Sequence, residues 1–215
     1  MNSEEFKASL SIISGEYSKS IPKREIFSLA KKFINTPILE VVKLLKSDNE
    51  DCKLGAISIL DWKARNKKSS TEEREKIYKA YLKNHNCIDN WGLVDRAAPY
   101  VIGGYLFDKD RKPMYDLAKS KNPMERRTAI VSTYYFIRKN EINDTFNIAE
   151  ILIEDENEQV QKAVGSWIRE AGKRNEEKLK SFLDKYASKM AKVTLRYAIE
   201  KFDGETRKYY LNLKK

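Results

Sequence analysis

Apolar residues recur at three- and four-residue spacing through almost the whole chain, the spacing that gathers them on one face of an α-helix. Alternation at every second residue, the mark of a half-buried strand, is hard to find. The pattern predicts helices over Ser3 to Tyr17, Lys23 to Phe33, Glu72 to Lys83, Arg111 to Lys121, Phe146 to Glu154 and Glu176 to Ala187. A further helix opens at Thr36-Pro37, with Ile38, Val41, Val42 and Leu45 as its apolar stripe, and Pro22 sits near the first turn of the one before it.

A repeat lies over this pattern. Ala56, Ala97, Ala129, Ala163 and Ala198 each fall near the start or middle of an amphipathic stretch, at separations of 41, 32, 34 and 35 residues. Most of these stretches follow another helix and a polar turn: Ser47-Asp48-Asn49-Glu50, Asn122-Pro123-Met124-Glu125 and Glu154-Asp155-Glu156-Asn157-Glu158. Helix pairs at such a period, with a small residue where helices cross, are the mark of HEAT-like repeats. The expected fold is all-α: one HEAT-like α-solenoid domain over residues 1–215, its concave surface lined by the second helix of each pair.

The second helices also carry cations. Lys162, Ser166, Arg169 and Lys173 form one stripe, expected to face outward, while Val160, Val164, Trp167 and Ala171 form another, which assigns Trp167 to the core. Ile130, Tyr134 and Ile137 are expected to pack inward, with Arg127 and Arg138 aligned on another face at a separation of eleven residues. Lys192 and Arg196 stand four apart, away from Leu195, Ala198, Ile199 and Phe202, and Lys53 precedes Ala56 in a similar position. Together these residues would give the groove a basic lining.

Composition agrees with that picture. A net charge of +10 and a pI near 9.3 favour a polyanionic partner, and a regular row of cations suits the phosphate backbone of nucleic acid. With 41% hydrophobic and 34% charged residues the balance is that of a folded soluble domain. No apolar run approaches the roughly 20 residues that span a bilayer, and the acidic, polar start Met1 to Phe6 does not read as a signal peptide. Cys52 and Cys87 lack CxxC spacing and a second histidine, which points away from a zinc site and towards a reducing cytoplasm. His85, in an Asn-His-Asn run, is expected to be exposed. Serine–histidine–aspartate triads and glycine-rich phosphate loops are not visible.

The most distinctive stretch is Asn90-Trp91-Gly92-Leu93-Val94-Asp95-Arg96-Ala97-Ala98-Pro99. Asn90 reads as a helix N-cap. Trp91 and Asp95 are four apart and share a face, while Val94, Ala97 and Val101 can pack inward. Pro99 would disturb the turn that holds the Asp95 carbonyl. Taken singly, Trp91 is an ordinary core candidate and Asp95 an ordinary partner of a helix N-terminus. Their pairing beside a kink is what singles them out.

Trp91-x-x-Val94-Asp95 followed by Ala98-Pro99 resembles the AlkD-type bacterial DNA glycosylases, as do Arg126-Arg127-Thr128-Ala129-Ile130, Lys162-Ala163-Val164-Gly165 and Arg169-Glu170. The likeness runs from about Ile21 to Phe202. It implies a HEAT-like fold and excision of N3- or N7-alkylated purines from duplex DNA, without metal or cofactor; the residues themselves suggest a monomer, away from the membrane, in the nucleoid-associated cytoplasm. It further implies Asp95 and Trp91 as the catalytic pair and Arg127 as a holder of a backbone phosphate, while the helical stripes put Lys162, Ser166, Arg169, Lys53, Lys192, Arg196 and Arg138 along the bound DNA. In the family pattern a second tryptophan directly follows Lys-Ala-x-Gly, where this chain has Ser166 and, one residue later, Trp167. Tyr134, Tyr135 or Tyr17 could supply the missing aromatic wall. Two other functions stay open on the residues: a member that binds distorted or branched DNA without catalysis, and a HEAT scaffold for a protein partner.

Overall fold

Asparagines cap six of the helices among the described residues. In the computed structural model, which describes residues 1–213, the Asn49 side chain accepts hydrogen bonds from the backbone N–H groups of Asp51 and Cys52. Asn122 accepts from Met124, Asn157 from Gln159 and Val160, and Asn175 from Lys178. Each cap satisfies a backbone donor that the helix itself leaves open, typically about 1 kcal/mol apiece. Three of the caps are themselves oriented by the residue two before them. Ser47, Ser120 and Asp155 accept from the N–H of Asn49, Asn122 and Asn157 at 3.2, 3.0 and 2.9 Å. The polar turns seen in the sequence are thus one recurring device.

The fold is all-α, the class expected of an α-solenoid, with no strand among the described residues. Its helices cluster into two compact units, residues 1–105 and 106–215. The first holds α1 (Ser3–Gly15), α2 (Lys23–Lys32), α3 (Ile38–Leu45), α4 (Glu50–Arg65), α5 (Thr71–Lys83), a 3₁₀ turn at His85–Cys87 and α6 (Trp91–Ala98). After α6 the chain continues as a π-helical turn, Pro99–Gly103, and a short α7 (Gly104–Leu106) that runs across the boundary. The irregularity expected at Pro99 therefore takes the form of a widened turn, which absorbs the proline's missing N–H.

At the centre of the first unit is α4. Eleven of its sixteen residues are buried, and it packs against α2, α3, α5 and α6. The ring of Phe6 from α1 lies over Gly55 and meets Phe33 edge-on at 5.2 Å between centroids. In α3 the core residues are Val41, Leu44 and Leu45, while Ile38 and Val42 are only half-buried, so the helix is turned slightly from the expected stripe. His85 is buried, with its ring edge-to-face on Tyr81 at 5.5 Å, because the 3₁₀ turn folds the segment back onto α5 instead of leaving it in solvent.

The second unit holds α8 (Lys112–Ala118), α9 (Pro123–Ser132), α10 (Tyr134–Ile137), α11 (Asn143–Ile151), α12 (Glu158–Gly172), α13 (Glu176–Tyr186), α14 (Lys192–Ala198) and α15 (Gly204–Asn212). Its centre is α12, packed on α9, α13 and most heavily on α14. Ala56, Ala97, Ala129, Ala163 and Ala198 are all buried, each on a helix that crosses others, as the repeat predicts. A residue four after a cap ties repeats together in both units. Lys53 reaches Asp89, just before the Asn90 cap, at 2.6 Å, and Arg126 grips Asp155, two before the Asn157 cap, at 2.5 and 3.0 Å.

Candidate functional site

Helix α6 forms as the sequence predicts. The Asn90 Oδ1 accepts from the Leu93 N–H at 3.2 Å, and Leu93, Val94, Ala97 and Ala98 are buried. That leaves Trp91 and Asp95 on the opposite side of the inward face. Trp91 is 48% exposed, the most exposed of the three tryptophans, with the Lys23 ammonium 5.6 Å from its ring centre. Asp95 is half-buried one turn further on. An indole left this open loses roughly half of the 150–250 Å² of burial an aromatic side chain can gain, so core packing does not account for Trp91.

Lys53 is not presented as a DNA contact. Its ammonium lies 2.6 Å from Asp89 and 3.0 Å from Glu50, which raises its pKa through those two hydrogen bonds. Glu50 also accepts from the Asn90 Nδ2 at 3.1 Å, so this cluster ties the start of α6 to α4.

Four residues that the periodicity did not single out stand further along the same two helices. Asp61, wholly buried on α4, is held by Arg65 at 2.8 Å and by Arg96 of α6 at 2.6 Å. Trp62 donates its indole N–H to the Phe27 carbonyl at 3.3 Å, and the guanidinium carbon of Arg65 sits 3.7 Å from the Tyr100 ring centre. Charged residues four apart on α4 were the available signal for Asp61 and Arg65, whereas Arg96 lies 35 residues further on in the sequence.

In the second unit α12 is rotated from the expected setting. Its buried stripe is Val160, Ala163, Val164, Ile168 and Ala171, so Trp167 is not a core residue. It is half-buried, its ring tilted against Tyr134 with centroids 5.0 Å apart, and Arg138 lies 6.0 Å from the same Tyr134 ring. Tyr134 is correspondingly half-buried rather than part of the core, as is Phe202. Gly165 explains the rotation, since a Cβ there would stand 2.6 Å from the Tyr197 Cβ and closer still to the Thr194 carbonyl oxygen. Only a bare glycine face lets α12 sit this near α14.

The expected basic stripe is interleaved with carboxylates. Lys162 pairs with Glu158 at 2.8 Å, Arg169 with Glu200 and, at 3.8 Å, Glu170, and Lys173 with Glu170 at 2.6 Å. Ser166 is half-buried between these residues. Arg127 is only 7% exposed and donates to the Gln159 carbonyl, so it stitches α9 to the first turn of α12 instead of facing a phosphate. Nor do Arg127 and Arg138 share one helical face, because the helix is interrupted at Thr133 between α9 and α10. Lys192, Arg196 and Arg138 are exposed as expected. Lys192 and Arg196 form no ion pair among the described residues.

Residues 18–202 match the family model described as DNA alkylation repair enzyme, a span that includes Trp91, Asp95 and every cation discussed above. The chain belongs to that family. Membership gives it a role in DNA repair and makes DNA its expected partner. No curated protein matches the chain. Among the described residues no helix is long and apolar enough to cross a membrane, and no three His, Cys, Asp or Glu side chains are grouped to hold a metal ion. Helix α1 and helix α15 lie outside the matched span, so the repair-family signature rests on α2 to α14.

Proposed function

We propose that this DNA alkylation repair family member is a DNA glycosylase that excises N3- or N7-alkylated purines from duplex DNA, with Asp95 and Trp91 at its reacting centre. The observation that carries the reading is the half-exposed Trp91 one turn ahead of Asp95 on a capped two-turn helix, within the family-matched span. An alkylated purine carries positive charge and is already a good leaving group. Breaking its bond to deoxyribose develops an oxocarbenium-like cation on the sugar. The Asp95 carboxylate would stabilise that cation and orient the attacking water, the role carboxylates play in glycoside hydrolysis. The Trp91 face would meet the electron-poor base and sugar, a contribution of about 0.5–2 kcal/mol. Lys192, Arg196 and Arg138, the exposed members of the cation set, would contact phosphates.

The test is release of 7-methylguanine or 3-methyladenine from methylated duplex DNA. Asp95→Asn should abolish it with duplex affinity kept, and absence of release from the unaltered protein at high enzyme concentration would overturn the reading. A second reading, DNA binding without excision, is favoured by one observation: Ser166 stands where the family pattern has a tryptophan, and the neighbouring Trp167 is turned onto Tyr134. In that case binding persists in Asp95→Asn, no base is released, and Lys192 or Arg196 substitutions flatten the salt dependence, by a log–log slope of about 0.9 per lost contact.

A further inference from the structure

We propose that Asp61 is a positioning residue for the Trp91–Asp95 segment, acting through Arg96. The inference rests on the glycosylase reading for its consequence in catalysis, and on the geometry of α4 and α6 for its structural content. Helix α6 has eight residues, about two turns, and is followed by a π turn, so its own hydrogen bonds fix its rotation poorly. Arg96 follows Asp95 directly and lies about 100° around the helix from it. Whatever holds Arg96 therefore sets the direction of Asp95 and of Trp91, which shares the Asp95 face.

Arg96 is held on several sides. Its Nη1 lies 2.6 Å from the Asp61 carboxylate, and its Nε donates to the Ser58 hydroxyl at 3.1 Å. That hydroxyl in turn donates to the Leu54 carbonyl at 2.7 Å. The guanidinium carbon sits 4.5 Å from the Phe27 ring centre and 5.2 Å from that of Trp62. Asp61 has no solvent exposure, and Arg65 grips both of its oxygens at 2.8 Å.

This is a costly way to join two helices. Burial pushes the Asp61 carboxyl up and the Arg96 guanidinium down, each against its charged form, although the opposite charges work in the other direction. Apolar residues of similar volume join helices at least as strongly as a buried ion pair. What the pair adds is direction, because the planar guanidinium is fixed at two separate points of α4, Nη1 on Asp61 and Nε on Ser58. The start of α6 is tied to the same helix by Lys53–Asp89 and Glu50–Asn90, so α4 holds α6 at both ends.

The test uses the full-length protein with Asp61→Asn and, separately, the apolar pair Asp61→Leu/Arg96→Met. Three quantities are read: amide hydrogen exchange across residues 91–98, single-turnover release of 7-methylguanine at saturating enzyme, and affinity for an undamaged duplex. In Asp61→Asn α6 protection is expected to fall at least tenfold while α2 and α3 keep theirs. The apolar pair joins the helices without directing them, so its α6 protection should stay near that of the unaltered protein. The excision rate should fall at least tenfold in both variants, with affinity changed less than twofold. Unaltered protection of α6 in Asp61→Asn, or unaltered excision in either variant, overturns the proposal. Should Asp61→Asn unfold the first unit, the apolar pair decides by its excision rate. If the unaltered protein excises nothing, the glycosylase reading fails, and the exchange measurement alone upholds or overturns the positioning of α6.

Discussion

Replacing Gly165 by alanine puts a methyl group where α12 and α14 are closest. The added Cβ would lie 2.6 Å from the Tyr197 Cβ and nearer still to the Thr194 carbonyl oxygen. Carbon atoms prefer about 3.5–4.0 Å, so the overlap is close to 1 Å, and one of the opposing atoms is backbone. Overpacking of this kind costs about 1–3 kcal/mol, and a backbone obstacle places Gly165→Ala at the upper end. Alanine returns about 1 kcal/mol through its helix propensity. The net loss should be about 2 kcal/mol, read as a lower urea midpoint with an unchanged slope. Gly204→Ala is the matched control, since its Cβ meets nothing within 4 Å, and it should be neutral or slightly stabilising. Gly165→Ala with a midpoint equal to or above that of the unaltered protein would refute the close crossing, and with it the explanation for the outward setting of Trp167.

Other perturbations separate the remaining contacts. Asn90→Ala removes the cap on the Leu93 N–H and should destabilise by about 1 kcal/mol, with Asn90→Gly losing only a few tenths, both read by urea unfolding. Asp155→Ala leaves Arg126 without its two-pronged partner and also strips the Asn157 N–H of its acceptor. About 3 kcal/mol is expected, the low end for breaking a buried pair because Arg126 is partly exposed. Glu40 is held down to about 2 by hydrogen bonds from Lys43 and from the Ser3 hydroxyl and N–H. Its depressed pKa means that the anchoring of α1 is present above the ordinary glutamate range and fades as pH falls towards 2. Hydrogen exchange of α1 between pH 5 and 2.5 should therefore rise more in the unaltered protein than in Glu40→Gln, where the anchor is already weakened.

The chain's local signals settled much of the fold. Apolar spacing, the polar turns ahead of helical stretches and one small residue per repeat act within a few residues of themselves, so most of the helices and the buried alanines could be read directly. The α6 reading was of this kind, since a cap, a proline and two side chains four apart need no distant neighbour to be interpreted.

Tertiary structure decided which face of each helix is inside and what each charge meets. In α12 the step from Val164 to Trp167 and the step from Val164 to Ile168 suit a 3.6-residue period equally well. Close approach at Gly165, set by Thr194 and Tyr197 on another helix, chose Ile168. Cations that looked alike in sequence were sorted by partners about thirty residues away: Lys53 by Asp89, Arg127 by the Gln159 carbonyl and Arg169 by Glu200, with Lys192 and Arg196 left exposed. The pairing of Asp61 with Arg96 was invisible for the same reason. Periodicity records which residues share a helical face, whereas an ion pair between helices depends on the crossing that packing alone creates.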